Sequence, residues 1–484
     1  MKDIKHKVKL PLFDDYWIDF RRDTVRRWYT PEFYSTGPAG PYSSLFYDES
    51  AGKYRMYYEN LMEPGNDGPR YLHLVESEDL REFTEVKVNG ASYLPVTGSG
   101  VHGCSVLYDK YEKDPEKRYK LCGMMDVGDK KAEGVRDWMG VELSFSADGI
   151  NFTRHPELLA NPQTSDALNK LMYNPVDEEY VLFHRSAFVD RRISVRTSKD
   201  LKNWSEPHII LSPAASYNSE GVGMQHYSMT AGWFDGIYYG LLWQYNTCLY
   251  NEDYTRMFGY MQPELVYSYD GSEFLYTTGK PVIERPQAPN PGCVGLAPDD
   301  MCLSKDGKNY FIVCYGYQVV HGTAKSNQLL NEKLNNAGVK RGNPIYKIRK
   351  DGFCGIESVG YGGKVVTKGL CLLDNDLSFN INANVGSARF GIMALNGEYI
   401  EGFSLDDCVP FEFDDSVSVI PKWKDHSLDE VLERQVRIVV ELNSATLHSI
   451  EGTMQPYVRQ RQESFAHPEG IPSDEKRVNR KGEL

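Results

Sequence analysis

The stretch SLFYDESAGKYRMYYE at residues 44–59 decides the fold class, because it places two aromatic-rich runs on either side of a short polar turn. Tyrosine and phenylalanine pack well on the pleated surface of a strand. The Asp, Ser and Gly between the runs are residues that form turns. The stretch therefore predicts a β-hairpin.

The same pattern recurs along the chain. Four further copies lie at 105–123, 170–185, 228–245 and 301–317. Between the copies stands a second pattern, Ser-x-Asp with an aromatic residue four positions after the Asp, each time preceded by a strand-like run. Its occurrences are Ser77-Asp79-Phe83, Ser146-Asp148-Phe152, Ser198-Asp200-Trp204 and Ser268-Asp270-Phe274. A hairpin and the motif that follows it predict one four-stranded antiparallel blade. Five such units predict an all-β, five-bladed β-propeller.

The fifth hairpin has no Ser-x-Asp motif after it, so we expect the segment around 8–20 to complete the last blade. A helix-like stretch at 326–338 is interpreted as part of a linker, and the short strands after it predict a β-sandwich. The predicted domains are the propeller at 1–325, the linker at 326–342, the sandwich at 343–456 and a charged C-terminal tail at 457–484.

Composition and charge limit the classes of partner that this chain is expected to bind. The net charge is −14 and no basic cluster stands out, so neither nucleic acid nor an anionic membrane is an expected partner. The start of the sequence has no apolar signal region, and no apolar run is long enough to span a membrane. The nine scattered cysteines, without a C-x-x-C motif, predict free thiols in a reducing cytoplasm and no zinc site. We expect no cofactor, and a homo-oligomer stays open.

The runs SLFYDESAGKYRMYY, RISVRTSKDLKNWSEP and ELVYSYDG resemble blades of the five-bladed glycosidases of families 32, 43 and 68. They are most similar to bacterial proteins labelled glycoside hydrolase family 32 N-terminal-like. The segment from YKIRKDGFCGIES to GFSLDDCVPF resembles the C-terminal sandwich of that group. The resemblance implies a carbohydrate substrate and a glycoside hydrolase, with a fructofuranosidase or arabinofuranosidase favoured.

The catalytic residues of family 32 do not carry over as a set. Its motifs W-M-N-D-P-N-G, R-D-P and E-C-P are missing from this sequence. The matching positions hold Gly40-Pro41-Tyr42, Val101-His102-Gly103 and Asp166-Ala167-Leu168-Asn169. Only the third of these carries an acid, so fructosidase activity does not follow from the resemblance.

The candidate active site lies where the first strand of each blade begins, because these points converge on the axis of a propeller. The five entries are Tyr42-Ser43, His102-Gly103, Asp166 with Asn169 and Lys170, Gln225-His226-Tyr227, and Asp299-Asp300. Glycoside hydrolysis needs two carboxyl groups that flank the bond. We predict Asp166 and Asp300 as the first pair. Glu220 is the predicted general acid, because a Glu in an apolar cleft has a raised pKa.

Further side chains are predicted to bind the substrate: Tyr42, His102, Asn169, Arg185, His226, Tyr227, Trp243 and Asp299. Each has a structural alternative. The aspartates are also turn formers, and core packing is the default for Trp243 and Tyr227. Asp14 or Asp15 could also serve as the catalytic base, and the structural alternative for this pair is capping of the first strand. We favour hydrogen bonding to sugar hydroxyls over a metal for the histidines, so no metal site is predicted.

Two other functions stay open. A glycoside phosphorylase needs one acid and a cationic pocket for phosphate, for which Lys170, Arg185 and Arg191 are candidates. A sugar-binding module needs aromatic side chains without convergent acids.

Overall fold

The computed structural model describes nine stretches of the chain: residues 7–61, 70–96, 100–125, 140–163, 165–186, 191–213, 222–248, 258–321 and 325–456. The all-β class is confirmed, since these stretches contain many strands and one α-helix, α1 (Lys325–Asn336). No helix in the described stretches has both the length and the apolar character that a membrane crossing needs. Contacts divide the chain into two compact units. The ring unit comprises Thr30–Phe234 and Tyr238–Ile348, and the terminal unit comprises Met1–Tyr29, Asp235–Ile237 and Arg349–Leu484.

The ring unit contains five four-stranded antiparallel sheets. The first sheet is β5 (Ser44–Asp48), β6 (Lys53–Leu61), β7 (Arg70–Ser77) and β8 (Thr84–Glu85). The second is β9 (Val101–Tyr108), β10 (Tyr119–Met125), β11 (Val141–Ser146) and β12 (Thr153–Asn161). The third is β13 (Lys170–Asn174), β14 (Glu179–Arg185), β15 (Ile193–Ser198) and β16 (His208–Leu211). The fourth is β17 (Val222–Trp233), β18 (Tyr238–Cys248), β19 (Phe258–Ser268) and β20 (Leu275–Pro281). The fifth is β21 (Gly295–Leu303), β22 (Asn309–Tyr317), β23 (Asn343–Arg349) and β4 (Glu32–Gly37).

The five predicted hairpins form the first two strands of these sheets, in the predicted antiparallel pairing. The first strands also contact one another in sequence order: β5 with β9, β9 with β13, β13 with β17, and β17 with β21. Contact between β21 and β5 closes the circle. The starts of all five first strands are therefore brought into one ring.

The Ser-x-Asp motif makes the turn between the third and fourth strands of the first four sheets. In the second sheet, Ser146 Oγ accepts a hydrogen bond from Gly149 N at 3.0 Å, and Asp148 Oδ1 accepts from Ile150 N at 2.7 Å. Burial raises the pKa of Asp148, but bonds from the backbone N–H groups of its own turn outweigh this and hold it at about 2. Phe152 is buried behind the turn and anchors the next strand.

The fifth sheet corrects two expectations. Its third strand is β23 (Asn343–Arg349), which was expected to open the sandwich, and its fourth is β4 (Glu32–Gly37) instead of the segment around 8–20. The two strands are far apart in the sequence, so no local turn joins them. This explains why the fifth hairpin has no Ser-x-Asp motif after it.

The terminal unit contains two antiparallel sheets. The six-stranded sheet is β1 (Val8–Pro11), β3 (Thr24–Trp28), β24 (Cys354–Ser358), β27 (Ser378–Asn382), β30 (Asp415–Val419) and β32 (Thr446–Gly452). The seven-stranded sheet is β2 (Ile18–Arg22), β25 (Gly363–Thr367), β26 (Leu370–Leu372), β28 (Ser387–Met393), β29 (Phe411–Glu412), β31 (Gln435–Asn443) and β33 (Met454–Pro456). Both sheets contribute to one apolar core, in which the rings of Phe379 and Phe390 stack at 4.2 Å. The segment around 8–20 is thus placed in these sheets by its pairing with β32 and β25.

Candidate active site

Three of the five first strands carry a β-bulge. The register shifts between Cys122 and Met124 opposite β9, between His226 and Ser228 in β17, and between Pro298 and Asp300 in β21. A bulge leaves one residue unpaired and re-aims its side chain. In β17 and β21 the extra residues are Tyr227 and Asp299, two of the predicted site residues.

His102 is held between two carboxylates. Its Nε2 lies 2.8 Å from Asp166 Oδ1, and its Nδ1 lies 3.5 Å from Glu59 Oε2. Burial lowers the pKa of His102, but the hydrogen bonds and charges of Asp166 and Glu59 outweigh burial and raise it to about 9. The imidazole is therefore a cation at neutral pH, fixed between its two partners.

Asp166 presents an ionised carboxylate to solvent. Its side chain is 54% exposed, and its Oδ2 lies 3.6 Å from Arg185 Nη2. Burial raises the pKa of Asp166, but the hydrogen bond from His102 and the positive charges of His102 and Arg185 hold it below its ordinary value. Among the predicted catalytic acids in the described residues, Asp166 has the exposure and the charge that suit a base or a nucleophile.

The loop that carries Asp166 is tied to β9 by Asn169. The Asn169 backbone N–H bonds to Gly103 O at 2.9 Å, and its side-chain amide donates to Ala167 O at 2.9 Å. Gly103 has a φ of 64°, and a Cβ there would lie 2.1 Å from Ala167 O. Asn169 is wholly buried, so it positions Asp166 and does not reach a ligand.

Trp243 forms the middle of an aromatic stack. It lies 5.8 Å from Tyr42 and 6.0 Å from Tyr227, nearly parallel to both rings, and its Nε1 donates to Pro298 O at 2.6 Å. Trp243 is 1% exposed, so both faces are covered. Because both faces of Trp243 are covered by protein, a sugar cannot stack on it in this arrangement. The ring instead packs in the core.

Two arginines converge on Tyr227. The guanidinium carbons of Arg185 and Arg191 lie 5.0 Å and 5.5 Å from the centre of its ring. Arg191 also donates a short hydrogen bond to Gln225 Oε1. Burial and the neighbouring charge of Arg185 lower the pKa of Arg191. A third basic side chain, His321, meets the edge of Tyr227 at 5.1 Å, and burial lowers its pKa to about 4, so it is neutral.

The structure argues against a catalytic role for Asp300. Its side chain is buried, and Oδ1 accepts from Lys170 Nζ at 2.7 Å while Oδ2 accepts from Leu45 N at 3.0 Å. Thr230 Oγ1 adds a longer contact at 3.4 Å. Asp300 thereby joins β21 to β13, β5 and β17. Asp300 forms a buried ion pair with Lys170, so the charge of Lys170 is already balanced by Asp300.

Two further predicted ligand contacts are also buried. Asp299 accepts from Ser43 N at 2.8 Å, and burial raises its pKa well above the ordinary value. His226 is wholly buried and its Nε2 bonds with Tyr276 Oη at 2.9 Å, inside the fourth sheet. Neither side chain reaches solvent at the ring axis.

Two further acids, Glu220 and Asp15, were also candidates for catalysis. Glu220 is outside the described residues, so its role as general acid stays a prediction. Asp15 is paired with Arg21 and Arg26 in the terminal unit. In the described stretches, no three His, Cys, Asp or Glu side chains are grouped closely enough to hold a metal ion.

Sequence reasoning missed Glu59 and His321. Glu59 stands at the end of the first hairpin, in the place that Arg185 occupies at the end of the third. The hairpin alignment that singled out Arg185 could have found it. His321 follows the fifth hairpin, and no repeat pattern marks it.

Comparisons with known proteins give structural matches only. No protein-family model matches the chain. No curated protein matches it either. Among solved structures, an N-acetylgalactosamine deacetylase from F. plautii, in complex with blood group B trisaccharide, is 11% identical, with 68% of this chain and 96% of that chain covered and a TM-score of 0.42. A GH43 α-L-arabinofuranosidase from Clostridium thermocellum is 11% identical, with 63% and 88% covered and a TM-score of 0.35. A Bombyx mori GH32 β-fructofuranosidase in complex with sucrose is 13% identical, with 91% and 94% covered and a TM-score of 0.34. The matched structures thus include one labelled GH43 and one labelled GH32.

Proposed function

We propose that the ring unit is a five-bladed β-propeller and that the terminal unit is a β-sandwich. Five sheets whose first strands contact one another in a closed circle support the propeller. Two antiparallel sheets that share one core support the sandwich. The residues at the start of the first strands then surround the propeller axis.

We propose that the chain is a glycoside hydrolase with its active site at this axis. The observation that carries the proposal is the half-exposed, ionised Asp166, which is hydrogen-bonded to the cationic His102. The ring of Tyr42 contacts His102 edge-on. A carboxylate in this state can attack an anomeric carbon, or take the proton from the water that attacks it. A furanoside remains the favoured substrate, as the sequence resemblance implies.

The leaving group needs a proton as the glycosidic bond breaks. We propose that Glu220 supplies this proton, while Asp166 acts on the anomeric carbon or on water. His102 stays charged throughout and keeps Asp166 ionised and oriented. Glu59 bonds the backbone N–H of Cys104 at 2.8 Å and is wholly buried, so it is a positioning residue for His102.

The test is a panel of aryl furanosides and pyranosides, assayed with wild-type protein, Asp166→Asn and Glu157→Gln. Glu157 is the matched control, because it also accepts a hydrogen bond from a histidine, His155, at 3.0 Å, but lies exposed on β12. We expect cleavage by wild type and Glu157→Gln, and cleavage at least about 10³-fold slower by Asp166→Asn. Sugar binding without cleavage of any glycoside in the panel would identify a sugar-binding protein instead.

A further inference from the structure

The axial site carries more positive than negative charge, although the whole chain has a net charge of −14. His102, Arg185 and Arg191 are cations there. Asp166 is an ionised anion and Glu59 faces His102 from the other side. A neutral sugar would not need two guanidinium groups beside one carboxylate, because hydroxyl groups are bound by uncharged donors and acceptors as well.

Arg185 is only partly used by the protein. One amino group, Nη2, faces Asp166 at 3.6 Å, which is longer than a hydrogen bond. The other, Nη1, is buried and has no hydrogen-bond partner among the described residues. An unpaired donor of a charged group is costly to bury. This cost is recovered when an acceptor arrives, so the atom points to a missing ligand group.

We propose that Arg185 and Arg191 bind an oxyanion of the substrate, either the carboxylate of an acidic sugar or a phosphate. Guanidinium groups fit both, because their parallel N–H donors match two oxygens of a carboxylate or phosphate. Tyr227 lies against both arginines and fixes the spacing of the pair. The anion enters beside Asp166, the exposed member of the group.

This inference rests on the proposed function and extends it to a class of substrate. If the oxyanion belongs to the sugar, the enzyme hydrolyses glycosides of uronic acids. If it is phosphate, an oxygen of a hydrogen phosphate ion attacks the anomeric carbon, the glycosidic bond breaks, and the leaving oxygen takes the proton that the hydrogen phosphate ion gives up. The products are then a sugar 1-phosphate and a free alcohol.

The experiment measures binding by calorimetry, without turnover. The probes are inorganic phosphate and a panel of methyl uronides, each paired with its neutral methyl glycoside. We expect phosphate or at least one uronide to bind at least tenfold more tightly than the neutral glycosides. Arg185→Gln and Arg191→Gln should each weaken this binding tenfold or more. Arg22→Gln, which removes a charge from an exposed arginine of the terminal unit, should leave it unchanged.

Arg185→Lys is the control for misfolding, because it keeps the positive charge beside Asp166 but lacks the second amino group. Its melting temperature should equal that of wild type, and it should still bind the anion less tightly. Phosphate binding with release of sugar 1-phosphate identifies phosphate as the source, and uronide binding alone identifies the sugar acid. Anions that bind no better than neutral glycosides, or equally well to the glutamine variants, overturn the inference. Arginine-dependent anion binding without cleavage of any glycoside would overturn the proposed function only.

Discussion

His102 Nε2 and Asp166 Oδ1 lie 2.8 Å apart and belong to the entries of two successive sheets. His102 stands in β9, and Asp166 stands in the loop before β13. The pair therefore depends on contact between the two strands, which Asn169 secures through its bonds to Gly103. A site of this kind is built by the ring and not by either sheet alone.

Asp166→Asn should reduce turnover at least about 10³-fold, because it removes the ionised carboxylate that acts as base or nucleophile. Asp166→Asn also removes the carboxylate that raises the pKa of His102, so the variant should lose part of that stability, and turnover is measured well below its melting temperature. Steady-state kinetics on the best aryl glycoside checks this, with Glu157→Gln as the control. Retention of more than about a tenth of wild-type turnover would place catalysis elsewhere.

His102 should make stability fall as pH rises. Its pKa is raised from 6.5 to about 9 in the folded protein, so the folded state keeps a proton that the unfolded state loses between these values. The stabilisation is complete below pH 6.5 and is lost as pH approaches about 9, by about 3 kcal/mol. Urea unfolding of wild type and His102→Gln across this range measures it. Parallel curves for the two proteins would show that His102 is not protonated when folded.

Asp300→Asn should cost about 3–5 kcal/mol of stability, because it leaves the buried ammonium of Lys170 without its counter-charge. The double variant Lys170→Met with Asp300→Asn should recover much of this loss, since it removes the orphaned charge. Glu85→Gln breaks an exposed pair with Lys87 and should cost less than about 1 kcal/mol. If Asp300→Asn instead abolished activity at an unchanged unfolding midpoint, Asp300 would be catalytic.

Glu264→Gln should stabilise the protein above neutral pH. Burial raises the pKa of Glu264 from 4.5 to about 7, so the unfolded state releases its proton first as pH rises. Wild type then loses about 3 kcal/mol between these values, and the variant has no such loss. The difference in free energy of unfolding between pH 4 and pH 8 is the readout. A difference that is the same for both proteins would mean that Glu264 ionises normally.

The hairpins and the Ser-x-Asp turns were predictable, because both are set by residues close together in the sequence. The bulges that aim Tyr227 and Asp299 were not, since a register shift depends on how the partner strand fits. Asp166 was predicted at the entry of the third sheet, and the structure places it there beside His102. The ion pair of Asp300 with Lys170 was not predictable, because Lys170 stands on another sheet and no sequence pattern shows which acids are already paired. For Glu59, the position at the end of the first hairpin could be predicted from the sequence, but its contact with His102 could not.

The fifth sheet joins β4, near the start of the chain, to β23, more than three hundred residues later. During synthesis, β4 has no partner strand until Asn343–Arg349 has left the ribosome, so the circle of first strands is completed late. The terminal unit has the same property, because it combines Met1–Tyr29 with Arg349–Leu484. A fragment that stops at residue 342 would lack the third strand of the fifth sheet and most of the terminal unit. Such truncated chains should be substrates for chaperones and proteases, whereas a chain that extends to residue 456 supplies the partner strands of both β4 and β1.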